Sequence, residues 1–525
     1  MKFTITLTGI FICICYMAPG QAKARKFATN INHPAINNFG PYLSLDGNSM
    51  IYLADVAEDN AITMNYTTRD GVNWKDPVVL PKSVNNRLNF MKGYALSPDG
   101  KTLYLTNMKS NGMGGFDIYA SQLKGSLWGE PVNMLLPVNS KSHDACPSIS
   151  LDGTTMFFMR CETMDFAKAE GCKLMMMKQR SNGRWDEPVE LPGHINTGNS
   201  QTPRIMGDGE FLVFSSDRFQ PNKGGMDLYY TRLIHGTWTR AEPLDFANSL
   251  GDDQYVSGNA SGMYLVKDVK GQHSSELVEL LFPPELRPKG TLKIEGFVNG
   301  PADPSSAFVT VFDLSDQGRV FSTRPGDDGA FAVYMNYGGV YDLSIEPEKD
   351  NYTFFSKVFD LQGENLSMVD KVQATLSPTV TGTELVLDGA SFVPGTSVLT
   401  KSSNQELRRL LRMVQGNSGH AFSIEVTLKG YEIDSIQSTP DLTEVLVDTL
   451  RIPVTYMVDS TTTATRDSLV VTTRYHNDRT LGQAKAIETY LIQEGIQSSR
   501  LASSGIAELE ALPEKRKTLI KIIVH

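Results

Sequence analysis

Two neighbouring residues, His143 and Asp144, are the clearest candidates in this sequence for acid–base chemistry, and Cys146 follows two positions later. A histidine beside a carboxylate can exchange protons near neutral pH. Such a pair more often makes hydrogen bonds within a loop, and we interpret it in that way. The sequence contains no His-Glu-x-x-His, Gly-x-Ser-x-Gly or phosphate-loop motif. We therefore predict that the protein is not an enzyme and has no catalytic residue, cofactor or metal.

A second set of acids recurs at a regular spacing. Asp46, Asp99, Asp152 and Asp208 each precede a glycine, and Ser261 holds the same position in a fifth, degraded copy. The steps between these positions are 53, 53, 56 and 53 residues. Asp-Gly is a strong hairpin signal in which the aspartate bonds to nearby backbone. We interpret these acids as turn residues of a repeat.

Each repeat has the same further parts. An alternating apolar strand follows the turn, and a glycine-rich loop, a third strand and a tryptophan come next; the tryptophans are Trp74, Trp128, Trp185 and Trp238. Four strands per unit are typical of a propeller blade. We predict an all-β propeller of about five blades over residues 25–285, with each tryptophan packed between blades.

The beginning of the chain predicts export. Lys2 precedes an apolar run from Ile5 to Met17, and small residues follow at Ala22 and Ala24. This is the pattern of a secretory signal peptide, which we assign to residues 1–24. The formal net charge of −10 argues against nucleic acid as a partner. We expect a location in the periplasm, associated with the outer membrane and the cell wall.

Three cysteines follow the signal peptide. Cys161 and Cys172 flank a hydrophilic loop of the third repeat, and Cys146 precedes them. Disulfides persist in exported proteins, so we predict a Cys161–Cys172 bridge. The alternative is three buried thiols.

The rest of the chain divides into two parts with different periodicities. Short alternating strands with turn signals over residues 290–376 predict a small β-sandwich. Over residues 380–525 the pattern changes to strand, helix, strand, helix, strand, which predicts an α/β domain with both helices on one face. The first helix is expected to carry Arg408, Arg409 and Arg412 on its outward side.

These parts together resemble a family of cell-envelope proteins. The Ser-x-Asp-Gly units resemble the PD40 (WD40-like, TolB-related) propeller repeat. The middle part resembles the carboxypeptidase-regulatory-like sandwich, and the last part resembles the OmpA C-terminal domain. Their order is similar to that of PorE-type proteins, which are associated with type IX secretion, and the resemblance covers nearly all of the chain after the signal peptide.

The OmpA resemblance implies a peptidoglycan site. In that family an aspartate and an arginine bind the stem-peptide amine and carboxylate, an interaction that charge-assisted hydrogen bonds explain. The family motif Asn-x-x-Leu-Ser-x-x-Arg-Ala, aligned on Leu481, places Asp478 at the asparagine and Lys485 at the arginine. The acid after the second strand is Asp434, and Arg479 is a second candidate cation. The alternative is a domain kept for protein contacts or for structure.

Two functions remain open at this stage. The first is a non-catalytic scaffold whose propeller binds envelope or secretion-system proteins and whose last domain contacts peptidoglycan. The second is a propeller-based glycan-binding protein or hydrolase with anchoring domains. A polar pocket of convergent acids and arginines at one mouth of the propeller would favour the second.

Overall fold

The computed structural model describes the chain from residue 24 to residue 525 with internal gaps; the described ranges are 24–44, 47–56, 61–85, 93–97, 101–124, 127–165, 168–180, 183–217, 222–315, 317–349, 351–363, 368–393, 396–429, 444–476, 478–508 and 517–525. The fold is largely β, with few helices. Within these ranges, no helix has the length and apolar character that a membrane crossing would need. The chain forms two units, residues 1–291 and 292–525.

Among its described residues, the first unit contains five antiparallel sheets of four or five strands, one for each copy of the repeat, and a two-stranded sheet of β14 and β15. Four follow one another along the chain, and the fifth takes its outermost strand from the beginning of the chain. The strands are β1 (Ala24–Lys26), β2 (Asn38–Leu43), β3 (Ser49–Val56), β4 (Ala61–Asp70), β5 (Asn73–Trp74), β6 (Val78–Val79), β7 (Tyr94–Leu96), β8 (Thr102–Asn107), β9 (Asp117–Lys124), β10 (Leu127–Trp128), β11 (Val132–Asn133), β12 (His143–Ile149), β13 (Thr155–Cys161), β14 (Thr163–Met164), β15 (Ala169–Glu170), β16 (Lys173–Lys178), β17 (Val189–Glu190), β18 (Gln201–Ile205), β19 (Phe211–Ser216), β20 (Asp227–Ile234), β21 (Thr237–Trp238), β22 (Glu242–Pro243), β23 (Ser257–Gly258), β24 (Tyr264–Lys270) and β25 (Ser275–Leu281).

The five larger sheets of this unit share one strand order. The first sheet runs β2-β3-β4-β5, and the last runs β23-β24-β25-β1. The described Asp-Gly turns behave as predicted: Asp152 accepts a hydrogen bond from Thr154 N at 3.0 Å, and Asp208 accepts one from Phe211 N at 2.9 Å. A four-residue helix, α1 (Lys82–Asn85), lies between the first two sheets in sequence.

A left-handed residue recurs in or just before the inner strand of the sheets. Gly40, Cys146, Thr202 and Tyr255 have φ between 47° and 58°, and a β-bulge accompanies the first three of them. Three of these residues are neither glycine nor asparagine, so their backbone is costly in isolation and must be held by the surrounding sheet. Their spacing matches that of the Asp-Gly turns, although the sequence pattern did not predict the bulge.

Neighbouring sheets are joined by hydrophobic clusters. The cluster of Phe39, Ile51, Tyr94 and Leu103 joins the first two sheets, and four further clusters join the second to the third, the third to the fourth, the fourth to the fifth and the fifth back to the first. The tryptophans take part as predicted; each packs in the cluster that its sheet shares with the preceding one, namely Trp74, Trp128, Trp185 and Trp238.

An asparagine clamps the third strand of each sheet. Asn139, for example, accepts from Ile118 N and donates to Ile118 O, both at 2.8 Å. The equivalent contacts in the other sheets come from Asn85, Asn196, Asn248 and Asn32. Asn32 and β1 both lie at the beginning of the described chain. They give the last sheet its outermost strand and its asparagine contact, which in the other sheets come from residues that follow the third strand.

The second unit begins with two packed sheets. Their orders are β29-β26-β32 and β28-β27-β30-β31, and they share one apolar core. The strands are β26 (Thr291–Asn299), β27 (Phe308–Asp313), β28 (Arg319–Thr323), β29 (Ala330–Asn336), β30 (Val340–Glu346), β31 (Phe355–Asp360) and β32 (Val369–Thr375).

The second unit ends in a four-stranded sheet with two helices. Its order is β33-β38-β34-β37, and β34 and β37 are parallel. Apolar residues of both helices pack in one cluster with Phe422, Ile424 and Ile522, which share a face of the sheet. The elements are β33 (Glu384–Val386), α2 (Asn404–Gly416), β34 (Phe422–Lys429), β35 (Glu444–Met457), β36 (Thr463–His476), α3 (Thr480–Gln493), β37 (Leu501–Glu508) and β38 (Lys517–Val524).

One expectation for this part is wrong. Arg408 and Arg412 are exposed on α2, but Arg409 is only 2% exposed. It contacts Asp342 of β30, so a buried acid on another element holds it inward. The described part of the chain also contains 3₁₀ turns at Pro284–Leu286, Pro304–Ser306, Lys401–Ser403 and Ser498–Arg500.

Candidate functional site

The residues predicted to bind peptidoglycan gather, in part, at the beginning of α3. Asp478 accepts hydrogen bonds from Thr480 N at 2.9 Å and from Thr480 Oγ1 at 2.7 Å, so its carboxylate helps to start the helix. Arg479 follows directly, and both side chains are half-buried. Asp434 lies outside the described residues. The structure therefore brings together one acid and one of the two candidate cations.

Lys485 lies further along α3 and is exposed. Asp478 precedes the first residue of α3 by two positions, whereas Lys485 lies in the second turn of the helix. Leu481 and Gly482, between them, are exposed as well. The exposed strip of Leu481, Gly482 and Lys485 on α3 thus follows the half-buried Asp478 and Arg479.

The first turn of α3 packs closely on β37. A Cβ built on Gly505 would lie 2.3 Å from Leu481 N and 2.4 Å from Thr480 Oγ1. The contact with a backbone nitrogen leaves no room for a larger residue at position 505. This glycine therefore allows the sheet to fix the position of Asp478 and Arg479.

His143 and Asp144 begin strand β12, and their side chains contact different neighbours. His143 Nδ1 accepts from Phe116 N at 3.2 Å. Asp144 is buried and forms an ion pair with Arg160 at 2.6 Å. Burial raises the pKa of Asp144, while the charge of Arg160 and the hydrogen bonds from Ser140 oppose the shift. His143 thus contacts the backbone just before β9, and Asp144 connects β12 to Arg160 of β13 and to Ser140.

An arginine that the sequence analysis did not single out occupies the middle of the first unit. Arg204 Nε donates to Val256 O at 2.9 Å, and Nη1 donates to Tyr94 O at 3.2 Å. The guanidinium also lies 5.0 Å from the ring centre of Tyr42. Arg204 thus reaches from the fourth sheet to the first, second and fifth. The equivalent positions in the other repeats are Tyr42, Ala95, Ser148 and Ser257. Arg204 is the one charged residue among these five positions, and this difference could have marked it in the sequence.

Arg204 is buried among groups whose pKa values are also shifted by burial. Burial lowers the pKa of Arg204 and raises the pKa values of Tyr42 and Tyr94. Burial also raises the pKa of the Cys146 thiol to about 12. The tyrosines and the thiol are therefore neutral at physiological pH. A small cavity beside the guanidinium is lined by polar and apolar residues, among them Ser148, Ser257 and Asn259.

The cysteines are arranged as the sequence analysis expected them. Cys161 and Cys172 are joined by a disulfide, and both are buried. Cys146 is a free, buried cysteine. The bridge closes the loop that carries β14 and β15.

Comparisons with known proteins find distant likenesses in fold. No family model matches the chain, and no curated protein matches it. Among solved structures, a protein described as TolB from Agrobacterium tumefaciens is 16% identical, with 57% of this chain and 90% of that chain covered and a TM-score of 0.28. An endo-arabinase from Bacteroides thetaiotaomicron is 14% identical, with 48% and 95% covered and a TM-score of 0.35. An oligogalacturonate lyase from Vibrio parahaemolyticus is 9% identical, with 51% and 96% covered and a TM-score of 0.30.

One expectation has to be corrected on these findings. The sequence analysis predicted that the protein is not an enzyme because the known catalytic motifs are absent. That prediction was wrong as an exclusion, because two of these three similar structures are described as an endo-arabinase and an oligogalacturonate lyase. Enzymatic activity of this chain is open and has to be measured.

Proposed function

We propose that this chain is an exported glycan-binding protein of the cell envelope. In this proposal the five sheets of the first unit are the five blades of a PD40-type propeller that binds an envelope glycan or protein. The two packed sheets of the second unit form a carboxypeptidase-regulatory-like spacer. The α/β part is an OmpA-like domain that contacts peptidoglycan, associated with the outer membrane from the periplasmic side.

The observation that carries the proposal is the strip on α3. Lys485 is exposed on α3, Asp478 lies two residues before the helix begins, and Leu481 and Gly482 between them are exposed. A stem peptide offers amine and carboxylate groups at its branched amino acid, and opposite charges on the protein suit both. Because the strip is exposed, the contact would be weak for each pair and sensitive to salt.

Arg479 has a supporting role in this proposal. It is half-buried and stands beside Asp478, and its side chain makes contacts within the protein. Lysine lacks the planar fork with which arginine holds a carboxylate, so Lys485 would act as a point charge. The proposal therefore places the ligand carboxylate at Lys485 and the ligand amine at Asp478.

Sedimentation with purified peptidoglycan tests this function. The full chain without residues 1–24 should sediment with peptidoglycan at low salt and remain in the supernatant at high salt. Lys485→Ala and Asp478→Asn should remove most of the sedimentation, and Arg479→Ala should remove less. Arg408→Ala, which changes an exposed cation on α2, is the matched control and should bind as the wild type does.

The same samples show whether binding is accompanied by catalysis. Soluble fragments or new reducing ends released from peptidoglycan, arabinan or pectate would indicate a hydrolase or lyase. Wild-type protein that stays in the supernatant at low salt would contradict the peptidoglycan contact.

A further inference from the structure

A long hairpin lies between β34 and α3 in the sequence. Strands β35 and β36 are 14 residues each and pair without interruption from Glu444 opposite His476 to Met457 opposite Thr463. The turn is closed by Val458 N donating to Thr462 O at 2.9 Å, and Asp459 accepts from Thr461 N and Thr462 N at 2.8 Å. These two strands form a sheet of their own. A two-stranded hairpin alone is only marginally stable in water.

Apolar side chains are exposed on both faces of the long hairpin. Paired residues in antiparallel strands share a face, so the register sorts them. One face carries Leu450, Ile452, Val454, Tyr456 and Val470, and the other carries Val445, Val447, Met457, Leu469 and Val471. Each of these residues is between 41% and 67% exposed. Monomeric proteins rarely expose contiguous apolar patches beyond a few hundred Å², and larger ones mark interaction sites.

The two edges of the long hairpin differ in their ability to accept another strand. Pro453 lies in β35 and has no N–H to donate, and proline on an edge is a known obstacle to strand addition. Strand β36 contains neither proline nor glycine, and its residues Ser468 to Thr473 carry no charge. Short, uncharged segments rich in β-branched residues pair readily with one another. Within the described residues, neither edge pairs with a further strand.

We propose that β36 pairs with β36 of a second copy of this chain in antiparallel orientation. The two-fold axis that relates the copies passes between their two Leu469 residues. The result is a dimer with a four-stranded sheet in the order β35-β36-β36-β35. In this register Ser468 lies opposite Val470 of the second copy, Asp467 lies opposite Val471, and Arg466 lies opposite Thr472. No like charges oppose each other, and Leu469 meets its own copy at the axis.

The second copy is the occupant that the edge chemistry favours. A two-fold interface uses the same patch on both molecules, so pairing one edge with itself satisfies both copies and closes the assembly. Pro453 then protects the outer edges of the four-stranded sheet and stops further growth. A strand of an unrelated protein would not make use of the match between β36 and its own copy.

Sedimentation velocity of the full chain without residues 1–24 tests the dimer. The wild type should sediment as a dimer, and Leu469→Lys should sediment as a monomer because two ammonium groups would meet at the axis. Val445→Lys is the matched control: it lies on the same face and is also exposed, but on β35, and it should remain dimeric. Circular dichroism spectra should be alike for all three, since both substitutions are at exposed positions.

Cross-linking tests the register. Leu469→Cys should form a disulfide-linked dimer under mild oxidation, whereas Val445→Cys should stay uncrosslinked. A wild-type monomer, a Leu469→Lys variant that is still dimeric, or cross-links at Val445→Cys in place of Leu469→Cys would each overturn the proposal.

Discussion

The guanidinium of Arg409, on α2, and the carboxylate of Asp342, on β30, form an ion pair in which both side chains are only 2% exposed. Arg409 also donates to Glu406 Oε2, at 2.9 Å from Nη2 and 3.2 Å from Nε. Glu406 Oε1 accepts from Ser356 Oγ at 2.6 Å. One buried cation therefore serves two buried carboxylates and joins the packed sheets of the second unit to its α/β part.

Removal of Arg409 should strongly destabilise the second unit. Arg409→Met leaves Asp342 and Glu406 buried without their counter-charge, and breaking a buried pair in this way typically costs about 3–5 kcal/mol. Urea unfolding, combined with amide hydrogen exchange in α2, measures the loss. Arg412→Met is the control, because Arg412 is 56% exposed in its ion pair with Glu346 and should cost under about 1 kcal/mol. Equal losses for the two variants would contradict the assigned role of Arg409.

The same cluster predicts that the second unit becomes more stable as the pH falls. Burial raises the pKa of Glu406 to about 7, with Arg409 opposing and Asp342 reinforcing the shift, and burial also raises the pKa of Asp342. A carboxyl with a raised pKa binds its proton more tightly when folded, so protonation favours folding. The free energy of unfolding should therefore rise from pH 8 to pH 6 and level off below the ordinary glutamate pKa of 4.5.

The charge of Asp342 is one cause of the raised pKa of Glu406. The Oδ1 atom of Asp342 is buried and has no hydrogen-bond partner among the described residues. By contrast, the two carboxylate oxygens of Glu406 accept four hydrogen bonds. Asp342→Asn should therefore flatten the pH dependence of unfolding between pH 8 and pH 6, and Glu295→Gln, at an exposed site, should leave it intact. A profile unchanged by Asp342→Asn would show that other groups set the pH dependence.

Arg204 should be essential for the stability of the first unit. Arg204→Ala removes the donors for Tyr94 O and Val256 O and leaves a hole among several sheets. Each buried acceptor left without a partner costs about 1–3 kcal/mol, so a loss of roughly 3 kcal/mol or more is expected in thermal or urea unfolding. Arg240→Ala, at an exposed position of the same sheet region, should change stability by no more than about 0.5 kcal/mol.

The disulfide should contribute measurably to the same unit. Cys161 and Cys172 are 11 residues apart in sequence, and closing a loop of this size stabilises a fold by roughly 2–3 kcal/mol. Peptide mass mapping without reduction should recover the two cysteines as one linked pair, with Cys146 unlinked. Unfolding with and without reductant should differ for the wild type and coincide for Cys161→Ser/Cys172→Ser. Two free thiols in the mapped peptides would reject the bridge.

Local signals were sufficient where the physics is local. The Asp-Gly pairs predicted the hairpins because a left-handed glycine and a bonding aspartate act within a few residues. The recurring tryptophans predicted the contacts between sheets because each occupies the same place in its repeat and therefore packs against the same part of the preceding repeat. The apolar period of α2 and α3 likewise predicted both helices and the sheet that they cover.

Long-range contacts could not be read in the same way. The pattern of α2 predicted Arg409 on the outward face, since helical periodicity describes one helix and not what packs against it. Asp342 lies 67 residues earlier, on a strand of the packed sheets, and only the fold brings its charge to Arg409. Arg204 was equally hidden, because its partners lie 52 and 110 residues away in sequence.

The sequence by itself thus determined the repeat, its turns and the two helices of the α/β end, because periodicity and turn chemistry depend on neighbours in the chain. It did not predict the paired strands β35 and β36. Only the tertiary structure decided which polar groups are buried together: Arg204 with the backbone oxygens of Tyr94 and Val256, and Arg409 between two acids. Burial decides whether a charge is solvated or must be paired, and burial depends on residues that are distant in the sequence.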